Sequence, residues 1–262
     1  MVPLIDTHAH LEEIDNLASA IMNARAAGVV AVIAVGSDIK SNQKTLEIAE
    51  QFPGLVYPSL GWHPWYVKEP EIEASLEFIQ NNLQKAAALG EIGLDYHKRV
   101  LAVAGKGLQK RVLQEILKIA KDSGKPALIH SRYAWRDALD LVLEAGVAKA
   151  VFHWFTGPSS VLRDIIDRGY YISVTPAVAY HEEHRRAVKE TPLAQLLLET
   201  DSPVTYARGR EGEFRAAPAD VARSLRGAAA LKGVSEAEIA AATTANAQKL
   251  FGDLNQIPHL RK

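Results

Sequence analysis

The amino-acid sequence predicts an α/β protein folded as a single (β/α)8 barrel of the TIM type. This prediction depends on two observations. Short runs rich in β-branched residues alternate with amphipathic runs eight times, a pattern typical of a parallel sheet flanked by helices. The chain has 262 residues, and such a barrel typically needs about 250. An open, doubly wound sheet is the alternative.

The eight predicted strands come at regular intervals along the chain. They are Leu4–Ala9, Val29–Gly36, Leu55–Leu60, Ala88–Gly93, Pro126–His130, Ala150–His153, Tyr170–Val174 and Leu196–Thr200. The runs between them have helical spacing, as in Leu108, Val112, Leu113, Ile116 and Ile119. A helix end that needs a left-handed residue is predicted before four strands, at Gly28, Gly124, Gly146 and Gly169. Because no linker or low-complexity segment is visible, one domain over residues 1–262 is expected.

Composition narrows the classes of protein that the chain can belong to. Hydrophobic residues make up 48% and charged residues 23%, a balance typical of a globular domain. The absence of cysteine excludes disulfides, thiol catalysis and cysteine-rich zinc sites. Neither a long apolar run nor a signal-peptide pattern is seen, so no membrane contact and a cytoplasmic location are expected. With a net charge of −1, contact with nucleic acid would depend on local basic patches.

The strongest chemical signal is the segment Asp6–His10, which reads Asp-Thr-His-Ala-His and ends the first predicted strand. Residues two apart in a strand point to the same side, so His8 and His10 can converge on one ion. Neutral imidazole is a good ligand for zinc and related ions. Asp6 has the same parity and could orient the two histidines or serve as a polar barrel residue.

Later strands also end in residues that bind metals. The C-terminal ends of barrel strands face one mouth, so these side chains are expected to meet although they are far apart in sequence. Burying any of them without a partner would be costly, which favours one shared site over separately satisfied side chains. The predicted metal ligands are His8, His10, Glu91, His130, His153 and Asp201.

In their order and spacing, these motifs resemble those of the TatD family of metal-dependent deoxyribonucleases, within the amidohydrolase-like barrels. The matching segments cover nearly the whole chain and are Asp6–His10, Gly61–Pro64, Gly90–Asp95, His130–Arg132, His153–Gly157, Glu199–Pro203, Asn246 and Leu250–Phe251. The resemblance implies two divalent ions at the C-terminal strand ends, bridged by Glu91. It assigns His8 and His10 to one ion. It implies that His130 and His153 bind the other ion.

The resemblance also implies the chemistry and makes Glu91 and Asp201 the catalytic residues. Two ions about 3.5–4 Å apart can activate water and neutralise the oxygens of an attacked phosphodiester. Asp201, placed on the first ion, would accept the proton of the nucleophilic water. Histidine-rich ligation favours zinc as the bound metal, with magnesium or manganese as alternatives for activity.

Basic and aromatic residues are interleaved on the loops that follow the predicted strands. This combination favours DNA in single strands or at strand ends. The predicted substrate contacts are His63, Arg132, Trp135 and Trp62. For His63, a local hydrogen bond within its loop is an equally weighted alternative, and for Trp62 the alternative is packing beneath a loop. The remaining histidines are expected in solvent, namely His97, His181, His184 and His259.

Two departures from the family pattern leave the substrate open. Trp154-Phe155-Thr156-Gly157 stands where the family usually has Cys-Phe-Ser-Gly, and the Asn-x-Pro that usually follows Pro203 is absent. The sequence therefore predicts a divalent-metal phosphodiesterase of exonuclease type acting on DNA. A small-molecule amide, lactone or phosphoester hydrolase is the enzymatic alternative, and a non-catalytic, metal-stabilised scaffold is the third. No obligate protein partner is inferred.

Overall fold

A computed structural model describes residues 3–252 and shows an eight-stranded parallel barrel with helices on its outer face. The strands are β1 (Leu4–Ala9), β2 (Val29–Val35), β3 (Val56–Leu60), β4 (Ala88–Asp95), β5 (Ala127–Arg132), β6 (Ala150–Phe152), β7 (Tyr171–Val174) and β8 (Leu196–Leu198). Each strand pairs in parallel with the next one along the chain. The predicted strands are confirmed, since their bounds differ from the observed ones by two residues at most.

The barrel closes between β1 and the chain that follows β8. Ala9 and Ser202 form a parallel bridge, and the backbone N–H of Asp201 donates to the carbonyl of His8 at 2.9 Å. These contacts tie the first strand to the last segment of the sheet. The closed barrel is therefore the correct prediction, and the open sheet is wrong.

Asp6 reinforces the closure from inside the protein. Its carboxylate accepts hydrogen bonds from the backbone N–H of Thr200 at 2.9 Å and from the Thr200 hydroxyl at 2.6 Å. The backbone N–H of His8 also donates to it, at 3.3 Å. Complete burial raises the pKa of Asp6 to about 8, and the hydrogen bonds partly offset that rise. Asp6 thus joins β1 to the segment after β8, and these hydrogen bonds go to Thr200 and to the backbone of His8.

Helices alternate with the strands and bury one face against the barrel. Within residues 3–252 they are α1 (Leu17–Ala26), α2 (Ile39–Gln51), α3 (Ile72–Asn82), α4 (Lys98–Leu101), α5 (Lys106–Ser123), α6 (Trp135–Ala145), α7 (Ser159–Asp167), α8 (Glu182–Glu190), α9 (Val221–Lys232) and α10 (Glu236–Phe251). The predicted glycines are left-handed, as at Gly124 after α5 (φ 67°) and Gly146 after α6 (φ 70°). In the described part of the chain, every helix is too short or too polar to cross a membrane.

A short antiparallel hairpin follows β8 and flanks the mouth of the barrel. It consists of β9 (Thr205–Tyr206) and β10 (Phe214–Arg215). The rings of Tyr206 and Phe214 stack 5.6 Å apart, while Thr205 and Arg215 line the cavity at the mouth. The hairpin was not predicted, because strands of two residues have no periodicity to detect.

Candidate metal centre

A cavity of about 820 Å³ opens at the C-terminal ends of the strands. This is the end of the barrel where active sites lie. Five of the predicted metal ligands line it, namely His10, Glu91, His130, His153 and Asp201. The sixth, His8, is completely buried directly beneath them. The structure thus brings all six predicted residues together.

Glu91, on β4, lies at the centre of this group. Its Oε2 atom is 3.3 Å from Nε2 of His8 and 3.3 Å from Nε2 of His10. Its Oε1 atom is 2.8 Å from Nε2 of His153 and 2.9 Å from Nδ1 of His130. The two oxygens of one carboxylate therefore face two separate pairs of histidines.

Asp201 lies on the side of the first pair. Its Oδ1 atom is 3.7 Å from Nε2 of His8 and 3.6 Å from Nε2 of His10. The backbone of Asp201 is left-handed, with φ of 47°, and this turn follows the bond from its N–H to the barrel's first strand. The chain after β8 is thus bent so that the carboxylate points into the cavity.

Gly93 allows β4 and β5 to approach closely beside the centre. Its φ is 153°, and a Cβ atom at this position would lie only 1.9 Å from the carbonyl oxygen of His130. No side chain could be accommodated there without moving β5. The glycine therefore helps to set the position of His130 relative to Glu91.

The charges of the centre stabilise one another. Burial by itself would raise the pKa of Glu91, but the neighbouring His63, His153 and His8 lower it well below the usual value. Burial would lower the pKa of His153, yet Glu91 and Glu199 raise it well above the usual value. Two buried carboxylates among imidazoles form a pocket that favours positive charge, and a metal cation can take the place of protons there.

The donor atoms of His8 fit a bound cation. Both of its ring nitrogens are buried and, within residues 3–252, lack a hydrogen-bond partner. A buried polar atom without a partner is costly. The carboxylates of Glu91 and Asp201 that face Nε2 supply the negative charge that a divalent ion needs. Ligand atoms close enough to hold an ion also occur in the groups His8–His153–Asp201 and His63–Glu91–His130.

His63, in the loop after β3, belongs to the same centre. Its Nε2 atom is 3.4 Å from Oε1 of Glu91, and its Nδ1 atom accepts a hydrogen bond from the backbone N–H of Trp65 at 3.1 Å. Burial lowers its pKa to about 4. The local hydrogen bond and the position at the cavity are therefore both present, and a role in substrate binding remains a prediction.

Glu199 is a member of the site that the sequence reading missed. It is completely buried, and its Oε1 and Oε2 atoms are 3.6 Å from Nδ1 of His153 and 4.0 Å from Nδ1 of His8. Its Oε1 atom also accepts the backbone N–H of Trp154 at 3.0 Å. The available signal was its spacing of two from Asp201, since the same parity puts both carboxylates on one side of an extended chain.

Asp95 is a second missed residue. It ends β4, is completely buried, and its Oδ2 atom lies 3.2 Å from Nε2 of His130. Burial would raise the pKa of Asp95, but hydrogen bonds from His130, Arg132 and the indole of Trp65 hold it below the usual value. Its spacing of four from Glu91 in the same strand was the signal.

The predicted substrate contacts divide into two groups. Arg132 and Trp135 line the cavity, as does His63. The prediction for Trp62 is wrong. Its side chain is only 1% exposed, and its indole N–H donates to the carbonyl of Tyr66 at 3.2 Å, so it packs beneath the loop and does not reach a ligand in the cavity.

The prediction that the remaining histidines lie in solvent is wrong for His184. This residue is completely buried, with Nδ1 3.1 Å from the carbonyl of Phe155, and its Nε2 accepts the backbone N–H of Thr175 at 3.1 Å. Both ring nitrogens are thereby satisfied by backbone groups, which makes burial tolerable. His97 and His181 are partly exposed, and His259 lies outside the described residues.

Comparison with known proteins agrees with this geometry. The family model of TatD related DNases matches residues 5–252. A human protein named deoxyribonuclease TATDN3 is 34% identical over 272 residues, covering 98% of this chain and 97% of the human protein. A Bacillus subtilis (strain 168) protein named uncharacterized metal-dependent hydrolase YabD is 33% identical over 257 residues, covering 95% and 98% of the two chains.

Solved structures show the same similarity. The crystal structure of YjjV, a TatD homologue from Escherichia coli K12, matches this chain with a TM-score of 0.85 and 28% sequence identity. The match covers 95% of this chain and 98% of the YjjV chain. The (β/α)8 barrel and its strand order are therefore shared over nearly the full length of both.

Proposed function

Because the chain belongs to the TatD related DNase family, we propose that it is a divalent-metal phosphodiesterase of exonuclease type that acts on DNA. The observation that carries the proposal is the position of Glu91. One carboxylate faces His8 and His10 with one oxygen and His130 and His153 with the other. A carboxylate in this position can bridge two cations, the arrangement used to hydrolyse phosphodiesters.

The proposed ligands separate into two sets around Glu91. His8, His10 and Asp201 would hold one ion together with Oε2 of Glu91, and the other ion would lie with His130 and His153 at Oε1. When bound, the ions would polarise the phosphodiester and make water more acidic. Zinc suits the imidazole-rich set, with magnesium or manganese as alternatives for activity.

Asp201 is the proposed proton acceptor. Its side chain is 10% exposed, compared with 3% for Glu91, and it lines the cavity where a water molecule would attack. Burial would raise its pKa, but His10 and His8 hold it below the usual value. Asp201 is therefore ionised at neutral pH and can accept a proton at its carboxylate. Glu91, deeper in the centre, has the bridging role.

The rim of the cavity supports a single strand or a strand end as substrate. Exposed aromatic side chains line it at Trp65, Tyr66 and Tyr133. Two of the three arginines that line it are paired with carboxylates, since Arg132 binds Asp95 and Arg215 binds Asp15, both at 2.8 Å. Unstacked bases can pack on aromatic rings, whereas a long duplex would need a track of free cations.

The test is a nuclease assay on chelator-treated protein reconstituted with zinc, manganese or magnesium. Substrates are the same DNA sequence as single strand and duplex, and a small chromogenic phosphodiester. We expect cleavage only with metal, faster cleavage of the single strand, and slower cleavage as salt rises. No cleavage of either DNA, together with rapid turnover of a small ester or amide, would overturn the proposal in favour of a small-molecule hydrolase.

A further inference from the structure

We propose that Asp95 is a positioning residue that holds Trp65 and Arg132 together as a nucleotide-binding ledge and fixes this ledge relative to His130. The ledge consists of the indole of Trp65 and the guanidinium of Arg132 at the rim of the cavity. The ligand it fits is one nucleotide of a single strand, with the base on the indole and a phosphate on the guanidinium. This inference rests on the proposed function and names a subsite for its substrate.

The carboxylate of Asp95 is surrounded by four donor residues from three segments of the chain, which are the loop after β3, the residues after β4, and β5. Its Oδ2 atom accepts the indole N–H of Trp65 at 2.6 Å and Nη2–H of Arg132 at 2.8 Å, and lies 3.2 Å from Nε2 of His130. Its Oδ1 atom accepts Nε–H of Arg132 at 3.1 Å and the backbone N–H of His97 at 2.8 Å. A carboxylate offers about four lone-pair sites, and these five contacts occupy both of its oxygens.

The backbone of Asp95 is fixed from behind by Gln109 of α5. The side-chain oxygen of Gln109 accepts the N–H of Asp95 at 2.8 Å. The amide nitrogen donates to the carbonyl of Asp95 at 3.0 Å and to that of Ala104 at 2.7 Å. Gln109 is completely buried. Asp95 pairs with Arg132 of β5 on one edge, and β3 pairs with β4 only as far as Leu89, so the Gln109 side chain satisfies the backbone of Asp95 on the β3 edge. A carboxylate held in this way is a rigid point of attachment.

The ledge itself faces the cavity. Trp65 is 49% exposed and the side chain of Arg132 is 38% exposed, and the guanidinium carbon lies 5.4 Å from the centre of the Trp65 ring. Asp95 takes the Nε–H and one Nη2–H of Arg132, so the two N–H groups of Nη1 and the second of Nη2 are the donors left for a phosphate oxygen. The indole is held by its N–H edge, and the guanidinium lies over one of its faces, so the proposed base stacks on the opposite face.

Asp95 also sets the orientation of a residue in the metal centre. His130 turns Nε2 to Asp95 and thereby presents Nδ1 to Oε1 of Glu91, at 2.9 Å. A carboxylate that binds the far nitrogen of an imidazole fixes its rotation. The same carboxylate thus positions the ledge at the rim and His130 in the metal centre. A nucleotide on the ledge therefore lies at a defined distance from Glu91.

The test begins with Asp95→Asn, which keeps the size of the side chain but loses the charge and one acceptor. Its matched control is Asp137→Asn, a partly exposed carboxylate that contacts Lys110 and Tyr96 instead of the ledge. In ¹⁵N–¹H spectra of chelator-treated protein, we expect the Trp65 indole signal, assigned by its loss in Trp65→Phe, to move upfield and exchange faster only in Asp95→Asn.

Binding and turnover are then measured separately. In the presence of chelator, anisotropy of a labelled single-stranded oligonucleotide should show roughly tenfold weaker binding for Asp95→Asn, as expected for a lost charge-assisted hydrogen bond. Trp65→Phe, which keeps a ring but removes the donor, should weaken binding less, and the two effects should not be additive. With metal, KM for the oligonucleotide should rise more than KM for the chromogenic diester.

Unchanged oligonucleotide binding in both variants, with an unmoved indole signal, would overturn the inference even if the wild-type protein cleaves DNA. If the wild-type protein neither binds nor cleaves DNA, the proposed function and the ledge's ligand are both wrong, while the indole signal still reports whether Asp95 holds Trp65. Should Asp95→Asn fail to fold, the binding comparison can be made with Trp65→Phe, Trp65→Ala and Arg132→Lys. Trp65→Ala removes the ring and Arg132→Lys removes the planar guanidinium, so both should weaken oligonucleotide binding more than Trp65→Phe does.

Discussion

The imidazole rings of His8 and His153 stack on each other beneath the cavity, with centroids 4.1 Å apart and planes inclined by 11°. Both rings turn Nε2 to Glu91 and Nδ1 to Glu199. Glu91 and Glu199 therefore face this pair from opposite edges, and the distances to Glu199, 4.0 Å from His8 and 3.6 Å from His153, are those of an ion pair. In such an arrangement Glu199, on the Nδ1 side, orients the rings and makes them more basic toward a cation on the Nε2 side.

Glu199→Gln should lower metal affinity by roughly 10- to 100-fold, the usual effect of removing a carboxylate that orients ligating histidines. The amide can still accept the N–H of Trp154, so the fold should persist. Competition with a fluorescent chelator measures the affinity, and Glu211→Gln, an exposed glutamate, is the control. Equal affinities in both variants would show that Glu199 serves only the backbone of Trp154.

Glu91→Gln should lower the rate of metal-dependent hydrolysis by a factor of at least about 10³, because bound metal supplies several kcal/mol of transition-state stabilisation. The neutral amide removes the negative charge between the two histidine pairs. Metal content per protein, measured by mass spectrometry, should fall as well, while circular dichroism stays unchanged. Full activity with unchanged metal content would rule out the bridging role.

Tyr133→Gly should affect stability and substrate binding in opposite directions. Tyr133 is left-handed, with φ of 58°, and the residue is 61% exposed at the rim. Glycine should relieve about 1 kcal/mol of backbone strain, whereas loss of a stacked ring should weaken binding of a single strand by about 1–3 kcal/mol. Urea denaturation and oligonucleotide anisotropy measure the two effects. Unaltered binding would exclude Tyr133 as a base platform.

The burial of His184 should make the free energy of unfolding decrease as the pH falls from neutral to acidic. Burial lowers its pKa to about 4 from the ordinary value of 6.5. Between these two pH values, His184 is therefore protonated in the unfolded chain and neutral in the folded protein. Its contribution is complete above about pH 6.5 and declines by about 3 kcal/mol as pH falls to about 4. In urea denaturation with chelator, the free energy of unfolding of wild type should therefore exceed that of His184→Gln by less as the pH falls. A constant difference at every pH would contradict this.

The sequence was sufficient for the strands and for the six residues at their ends, because both depend on local periodicity and on the common direction of parallel strands. Trp62 and His184 were misassigned for a different reason. Whether an aromatic ring faces a cavity or lies beneath a loop depends on contacts with distant segments, such as that of His184 with Phe155. A single domain over residues 1–262 and a cytoplasmic location remain predictions.

The closure of the barrel has a consequence for how the protein is made. Asp6 and its partner Thr200 are separated by 194 positions, so a nascent chain emerging from the ribosome carries its first strand with an unpaired edge until Thr200 has been synthesised. Joining ends so far apart is entropically costly and slow. Because Asp201 lies in the segment that closes the barrel, tight cation binding should distinguish chains with a closed barrel from shorter folding intermediates.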